Sequence, residues 1–271
     1  MDRRDIIAEI KNILKWRLRN IFIDPFFIVR WDILPRAKRR MALRSSCKYN
    51  KKIEGELKIP VLIVTYKRPT LFKKTLESFL KLNRGNLDRF LITVLVQGDR
   101  DEDTVKTIHK YKSQLYDVIC PGVNLGCAGG YGFLIKEALE TDLPYLIYLQ
   151  DDFLSNESLS NYLNQIIELL ENSNDIGCIR LRSIKDRVNA YNIVSRKKIK
   201  YKKTVGNVAI GNAHFTFNPT IVKASILKSI IPITSERDAM EKYQRMGLKT
   251  GQLLAECFSH IGHERVKDWI K

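Results

Sequence analysis

From Lys58 onward, apolar and polar positions alternate between two periodicities. Ile59 to Tyr66 is a nearly continuous apolar run of strand length, and Thr70 to Leu82 follows with Leu71, Leu76, Phe79 and Leu80 at helical spacing. Phe90 to Gln97 reads as a second strand, Asp103 to Leu115 as a helix, and Tyr116 to Cys120 as a short third strand. Gly132 to Glu140 reads as a further helix, and Tyr145 to Leu149 as a fourth strand. Buried strands separated by helices predict an α/β fold, with a mostly parallel sheet covered on both faces. In such sheets ligands bind beyond the carboxyl ends of the strands, so the residues that follow each strand carry the chemistry.

Residues 1 to 57 follow a different pattern. Ile6, Ile10, Ile13, Leu14, Leu18, Ile21 and Phe22 recur at helical spacing, while Lys11, Lys15, Arg17 and Arg19 fill the opposite side. Asp24-Pro25 ends that helix, and a second apolar piece, Phe26 to Trp31, precedes the cations Arg36, Lys38, Arg39 and Arg40. An apolar stripe with aromatic residues and many cations suits an interfacial helix, so residues 1–44 are expected on an anionic membrane surface. The alternative is an amphipathic helix packed on its own domain or on a second copy in a homodimer.

Charge sharpens this division. The chain of 271 residues carries a formal net charge of +17. Up to Lys58 there are 16 Lys and Arg against 7 Asp and Glu, a surplus of +9 in about a fifth of the length. Such an excess favours anionic partners without choosing among nucleic acid, phosphorylated small molecules and acidic membrane. The five cysteines are odd in number and form no Cys-x-x-Cys pair, which argues against a disulfide framework and a structural zinc site. They read as reduced thiols of a reducing compartment. No signal-peptide pattern and no run of about 18 apolar residues occurs, so the expectation is a cytoplasmic protein, peripheral on the inner face of the cell membrane.

The strand ends supply the candidate chemistry: Thr65-Tyr66-Lys67-Arg68-Pro69, then Gln97-Gly98-Asp99-Arg100, then the Gly-rich run Pro121 to Gly132, then Gln150-Asp151-Asp152. Glycines beside a helix start free backbone amides to face phosphate. Asp151 and Asp152 are adjacent like charges at the end of an apolar strand. They require a compensating cation, and a Mn2+ or Mg2+ ion bridging to a diphosphate would serve. The alternative for these acids is a turn that caps a helix in the segment Ser155 to Leu170.

The motifs VTYKRP, NLGCAGGYG, YLIYLQDD and GNAHFTFNP, in that order, resemble family 2 glycosyltransferases of the GT-A fold across residues 58 to 263. The resemblance implies a Rossmann-like donor half over 58–153 and an acceptor half over 154–271. It implies inverting transfer from a nucleoside-diphosphate sugar of UDP, GDP or dTDP type to a glycan or lipid-linked acceptor, with divalent metal on the diphosphate. Thr65, Tyr66 and Arg68 would line the nucleotide pocket, and Asp99 would hold the base. Asn124, Gly126 and Gly130 would form the turn beside the donor. Asp152 matches the metal-binding acid of the Asp-x-Asp motif, and Asp151 its middle residue. Gln150 replaces the first acid, and its amide can hydrogen-bond a ribose hydroxyl.

Ser235-Glu236-Arg237-Asp238 resembles the family's acidic motif, which makes Glu236 the catalytic base with Asp238 as the alternative. Capping of the following helix is the other use for either acid. His260 matches a late histidine that completes the metal site in several GT-A enzymes. His263 is a weaker match, and His214 falls in the segment resembling the acceptor side. The basic run Arg196 to Lys203 reads as a solvated loop or as a contact for an anionic acceptor. Two alternative functions fit the sequence less well: a nucleotidyltransferase on a related fold and a non-enzymatic nucleic-acid-binding protein. A nucleotidyltransferase would place glycine directly after the first strand, where this chain has Thr65 to Pro69. A nucleic-acid-binding protein would interleave stacking aromatics with its cations.

Overall fold

The computed structural model describes residues 57–98, 102–185, 200–212 and 214–262. Ile59–Thr65 forms β1, buried along its whole length. Its alternate residues enter two separate cores: Ile59, Val61 and Ile63 join Phe72, Leu76 and Phe79. Leu62 and Val64 join Tyr131, Leu134 and Ile135 on the other face. This two-sided burial explains why the strand reads as an unbroken apolar run.

Helix α1 (Pro69–Leu82) starts on a proline, whose fixed φ suits the first helical turn. After it come β2 (Phe90–Val96), α2 (Glu102–Tyr111) and β3 (Asp117–Ile119). The helix expected from Gly132 begins earlier, because α3 spans Gly126–Leu139 and takes in most of the Gly-rich run. β4 (Tyr145–Gln150) delivers the paired acids, and β5 (Phe153–Ser155) follows them directly. Then come α4 (Ser160–Glu171), β6 (Ile176–Arg180), β7 (Tyr201–Val205), β8 (Val208–Gly211) and β9 (Thr220–Lys223). The chain continues through α5 (Ala224–Ile230), α6 (Glu236–Arg245), β10 (Lys249–Leu253) and β11 (Phe258–His260).

The strands described form a nine-stranded sheet in the order β3-β2-β1-β4-β9-β6-β10-β8-β7, and a two-stranded sheet pairs β11 with β5. β1 is parallel to β2 and to β4, and β2 is parallel to β3. β9 lies antiparallel between β4 and β6, which returns β6 to the direction of β4. The carboxyl ends of β1, β2, β4 and β6 therefore emerge along one edge of the sheet. The end of the basic run departs from the expected loop, since Tyr201–Val205 is a strand whose lysines lie exposed. The start of that run, residues 196–199, and residues 1–56 lie outside the described residues. No helix among the described residues is long and apolar enough to cross a membrane.

Two positions in the second half of the sheet make the packing testable. A Cβ on Gly251 of β10 would meet Val208 Cγ1 at 2.8 Å and Ile179 Cγ1 at 2.9 Å. Gly251→Ala is expected to lower stability by about 1–3 kcal/mol through overpacking, measured by urea unfolding. His214 sits beside β10, its backbone amide donating to Thr250 Oγ1 at 2.9 Å while its own Nδ1 is buried without a partner. Burial, and then the charge of Arg180, lower its pKa from 6.5 to about 3, so it is neutral in the folded protein. Between those values the unfolded chain binds a proton that the folded chain refuses, so stability falls as pH falls through 6.5. From pH 7 to pH 5 the wild type should lose about 2 kcal/mol more than His214→Gln, by urea unfolding at the two pH values.

Candidate active site

The site is assembled at the carboxyl edge of the sheet, around the acids that end β4. Asp151 and Asp152 are 4% and 6% exposed, so both carboxylates need compensation. Arg68, in the loop between β1 and α1, supplies it. Its Nη1 donates to Asp152 Oδ2 at 2.8 Å and to Asp151 Oδ1 at 3.3 Å. Thr65 at the end of β1 and the amide of Tyr66 also approach Asp151.

The two acids differ in protonation. Burial, and then repulsion from Asp152, raise Asp151 to about 6 against the pull of Arg68. Burial also works against ionisation of Asp152, but His260 and Arg68 outweigh it and hold that carboxyl below its ordinary value. His260 Nε2 lies 3.2 Å from Asp152 Oδ2. The β5–β11 pairing sets this contact, because His260 is the register partner of Phe153, the residue after Asp152. The amide of Ile261 donates to the Asp152 carbonyl at 2.8 Å, and the Phe153 ring supports the imidazole at 5.1 Å. The acids therefore lead into a strand. The helix after them, α4, is preceded by Leu159 and receives no side-chain cap, so the capping alternative does not hold for Asp151 and Asp152.

Next to β2, the Gly-rich run is tied down by Gln97, to which the sequence reading gave no role of its own. Gln97 is 3% exposed, and its Oε1 accepts the Leu125 amide at 2.7 Å. The Asn124 side chain accepts the Gly126 amide at 2.9 Å, and Gly126 has φ +69, a backbone that glycine adopts readily. Gly130 is placed differently from the expected turn. It lies buried inside α3, where a Cβ would come within 3.2 Å of both Val64 Cγ1 and Gln97 Nε2. Its work is close helix-to-strand packing. The exposed Tyr66 ring lies over Gly98, whose Cβ would meet it at 2.8 Å. Asp99 and His263 lie outside the described residues.

The two acids of α6 divide. Ser235 caps the helix by accepting the Asp238 amide, and Asp238 Oδ2 accepts the Thr234 amide at 3.0 Å and pairs with Lys242 at 3.0 Å. Burial pushes the Asp238 carboxyl up, but the Thr234 amide and Lys242 together outweigh it and hold the carboxyl below its usual range. Asp238 is thus occupied in capping. Glu236 turns the other way, and its Oε1 accepts the Thr216 hydroxyl at 2.5 Å and the Phe217 amide at 2.8 Å. Phe217 is held in turn by a buried aromatic cluster, stacked on Tyr131 at 4.9 Å and edge-on to Tyr148 at 5.8 Å. The packing of α3 against β4 thereby fixes the segment on which Glu236 rests.

Cys127, in the first turn of α3, joins the two sides. The Gln150 amide lies 3.8 Å from its sulfur. Although part of its surface is open, desolvation and then the charges of Glu236, Asp151 and Asp152 push its thiol up to about 11. A thiol so raised is neutral at pH 7 and no nucleophile. Glu236, Asp151 and Asp152 all contribute to that shift, so the three carboxylates lie within electrostatic reach of one sulfur. The structure therefore brings together Thr65, Arg68, Gln150, Asp151, Asp152, His260 and Glu236, and leaves Asp238 and Gly130 apart.

No protein-family model matches the chain, and no curated protein matches its sequence. Solved structures resemble it in fold. A fragment of S. aureus TarS (residues 1–349), in complex with UDP-GlcNAc, is 15% identical with a TM-score of 0.56, covering 75% of this chain and 58% of that one. The mannosyltransferase PcManGT from Pyrobaculum calidifontis, with GDP-Man and Mn2+, is 12% identical with a TM-score of 0.55, covering 76% and 57%. GalNAc-T7 with UDP, GalNAc and Mn2+ is 15% identical with a TM-score of 0.56, covering 76% and 44%. The chain spans about half the length of these proteins. At such identities the likeness concerns the fold, and the chain has the GT-A fold of these glycosyltransferases.

Proposed function

We propose that the chain is a metal-dependent, inverting glycosyltransferase of family 2, moving a sugar from a nucleoside-diphosphate donor to a hydroxyl of a glycan or lipid-linked acceptor. The observation that carries this reading is the meeting of a compensated acid pair and a separate carboxylate, Glu236, at the ligand-binding edge of a GT-A sheet. The similar structures add support, since the TarS fragment holds UDP-GlcNAc and PcManGT holds GDP-Man with Mn2+. Residues 58–153 act as the donor half in this reading, and 154–271 as the acceptor half. The expected roles of residues 1–44 on an anionic membrane surface or in a homodimer rest on sequence alone.

The residues fit a hard divalent ion. Asp152 Oδ1 is buried with no hydrogen-bond partner, which leaves an anionic oxygen to be satisfied. A Cβ on Gly262 would come within 2.7 Å of Asp152 Oδ2 and 3.0 Å of His260 Nε2, so the absent side chain keeps that flank open. Among the described residues no group of three or more His, Cys, Asp or Glu side chains forms a closed metal cage. Asp152 and His260 would hold the ion, the rest of its shell coming from diphosphate and water, as Mg2+ and Mn2+ prefer. When bound, it supplies positive charge against the charge gathering on the diphosphate.

The chain's own groups do the rest. Tyr66 and the Gly-rich turn form the surroundings of the nucleotide, and the Gln150 amide can donate to a ribose hydroxyl. Both hydrogen bonds to Glu236 end on Oε1, so Oε2 is the atom that takes the proton of the acceptor hydroxyl. As the acceptor's hydroxyl oxygen attacks the anomeric carbon, the bond from this carbon to the diphosphate oxygen breaks with its electron pair, and the anomeric configuration inverts.

The two acids of α6 test this assignment. Glu236→Gln should bind nucleoside diphosphate as the wild type does, by thermal shift, while kcat falls about 10²–10⁴-fold in a donor-sugar transfer assay. Asp238→Asn should instead lose about 1 kcal/mol of stability and keep most of its turnover. Equal turnover for Glu236→Gln and wild type would remove Glu236 as the base.

A further inference from the structure

Arg68 stands where a metal-dependent site has least room for a cation. It contacts both acids through one nitrogen, Nη1, at 2.8 Å from Asp152 Oδ2 and 3.3 Å from Asp151 Oδ1. The guanidinium thus forms no two-pronged fork on either carboxylate, the arrangement that gives the firmest arginine pairs. Its side chain is 32% exposed, against 6% and 9% for the two acids, so the acids are fixed in the protein and the arginine reaches them from outside. The supporting loop is short, with Lys67 at φ 51 and Arg68 at the N-cap position of α1 without a side-chain cap bond. Asp152 Oδ2 is already shared between Arg68 and His260, while Oδ1 has neither.

Electrostatics turns this arrangement into competition. Two adjacent carboxylates at low exposure must be neutralised in the resting protein, and Arg68 is the cation that does it. A divalent ion at Asp152 would add positive charge within a few ångströms of the same guanidinium, which then loses its reason to stay. A diphosphate arriving with that ion offers the guanidinium a new anion at short range. Resting on the glycosyltransferase reading, we propose that Arg68 is a displaceable counter-cation: it occupies the acid pair until metal and nucleoside diphosphate arrive together, then transfers to the diphosphate. Arg68 is accordingly a positioning residue that couples metal binding to donor binding. Metal alone binds weakly because it must displace Arg68 into solvent. Metal with nucleotide binds well because the displaced charge is received.

The test is a direct Mn2+ titration of the full chain without nucleotide, followed by electron paramagnetic resonance of free Mn2+. Arg68→Met should bind Mn2+ on the order of tenfold more tightly than the wild type, the scale of an ordinary coupling between sites. Asp152→Ala should abolish the binding in both backgrounds, which locates it at this site. Because Arg68→Met leaves two buried acids facing each other, Asp151→Asn and Asp151→Asn/Arg68→Met form a second, charge-relieved comparison in which the same tightening is expected. Equal or weaker nucleotide-free Mn2+ binding without Arg68, in the comparison that folds, overturns the proposal. So does tight Mn2+ binding by the wild type alone. A parallel thermal-shift series with UDP, GDP and dTDP separates the two ideas: if none raises the melting temperature with or without Mn2+, the transferase reading fails, whatever Arg68 does to the metal.

Discussion

Two like charges buried side by side at the end of an apolar strand are the constraint around which this molecule is arranged. β4 is buried through Leu149, and Asp151 and Asp152 follow at 4% and 6% exposure. Carboxylates so placed repel each other and lack water, so each needs a partner. Arg68 reaches them from the loop after β1, and His260 reaches Asp152 from β11. Both come from distant parts of the sequence, and the acids are where those parts meet.

The supports of the site are apolar. Phe153, fully buried, backs the His260 ring, and its backbone pairs with His260 in the β5–β11 ribbon. Across the sheet edge, Tyr131, Tyr148 and Phe217 pack as one aromatic group, and the Phe217 amide holds Glu236. Rings of this size have few ways to pack in a dense interior, which sets the hydrogen-bonding groups attached to them in fixed places. The same helix α3 that contributes Tyr131 to this group contributes Cys127 to the locus between the acids and Glu236.

Much of residues 58–153 was legible in the chain because its signals are local. β1, β2 and β4 are continuous apolar runs, and α1 has its apolar residues at helical spacing, so their ends fall within a residue or two of expectation. The Gly-rich run misled, since glycine disfavours helix, yet α3 starts at Gly126. Tertiary packing overrides propensity there: a side chain at 130 would crowd Val64 and Gln97 at 3.2 Å. β5 and β11 are three residues each and pair across about a hundred positions, which no local pattern announces. The resemblance favoured Glu236 over Asp238, but the contacts that set the two acids apart were not legible in sequence. Those contacts come from Thr216 and Phe217 for Glu236, and from Thr234 and Lys242 for Asp238. Gln97 carries no motif of its own, and its role appears only when its side chain is seen to hold the Leu125 amide.

The central claim is that the acid pair at the end of β4 exists to hold a cation against a diphosphate. Crystals grown with Mn2+ and UDP or GDP, with data collected at the manganese absorption edge, address it most directly. The account predicts an anomalous peak bonded to Asp152 and to diphosphate oxygen, with His260 beside it. A nucleotide bound elsewhere, or one bound here while Asp152 remains with Arg68 and no manganese, would contradict it.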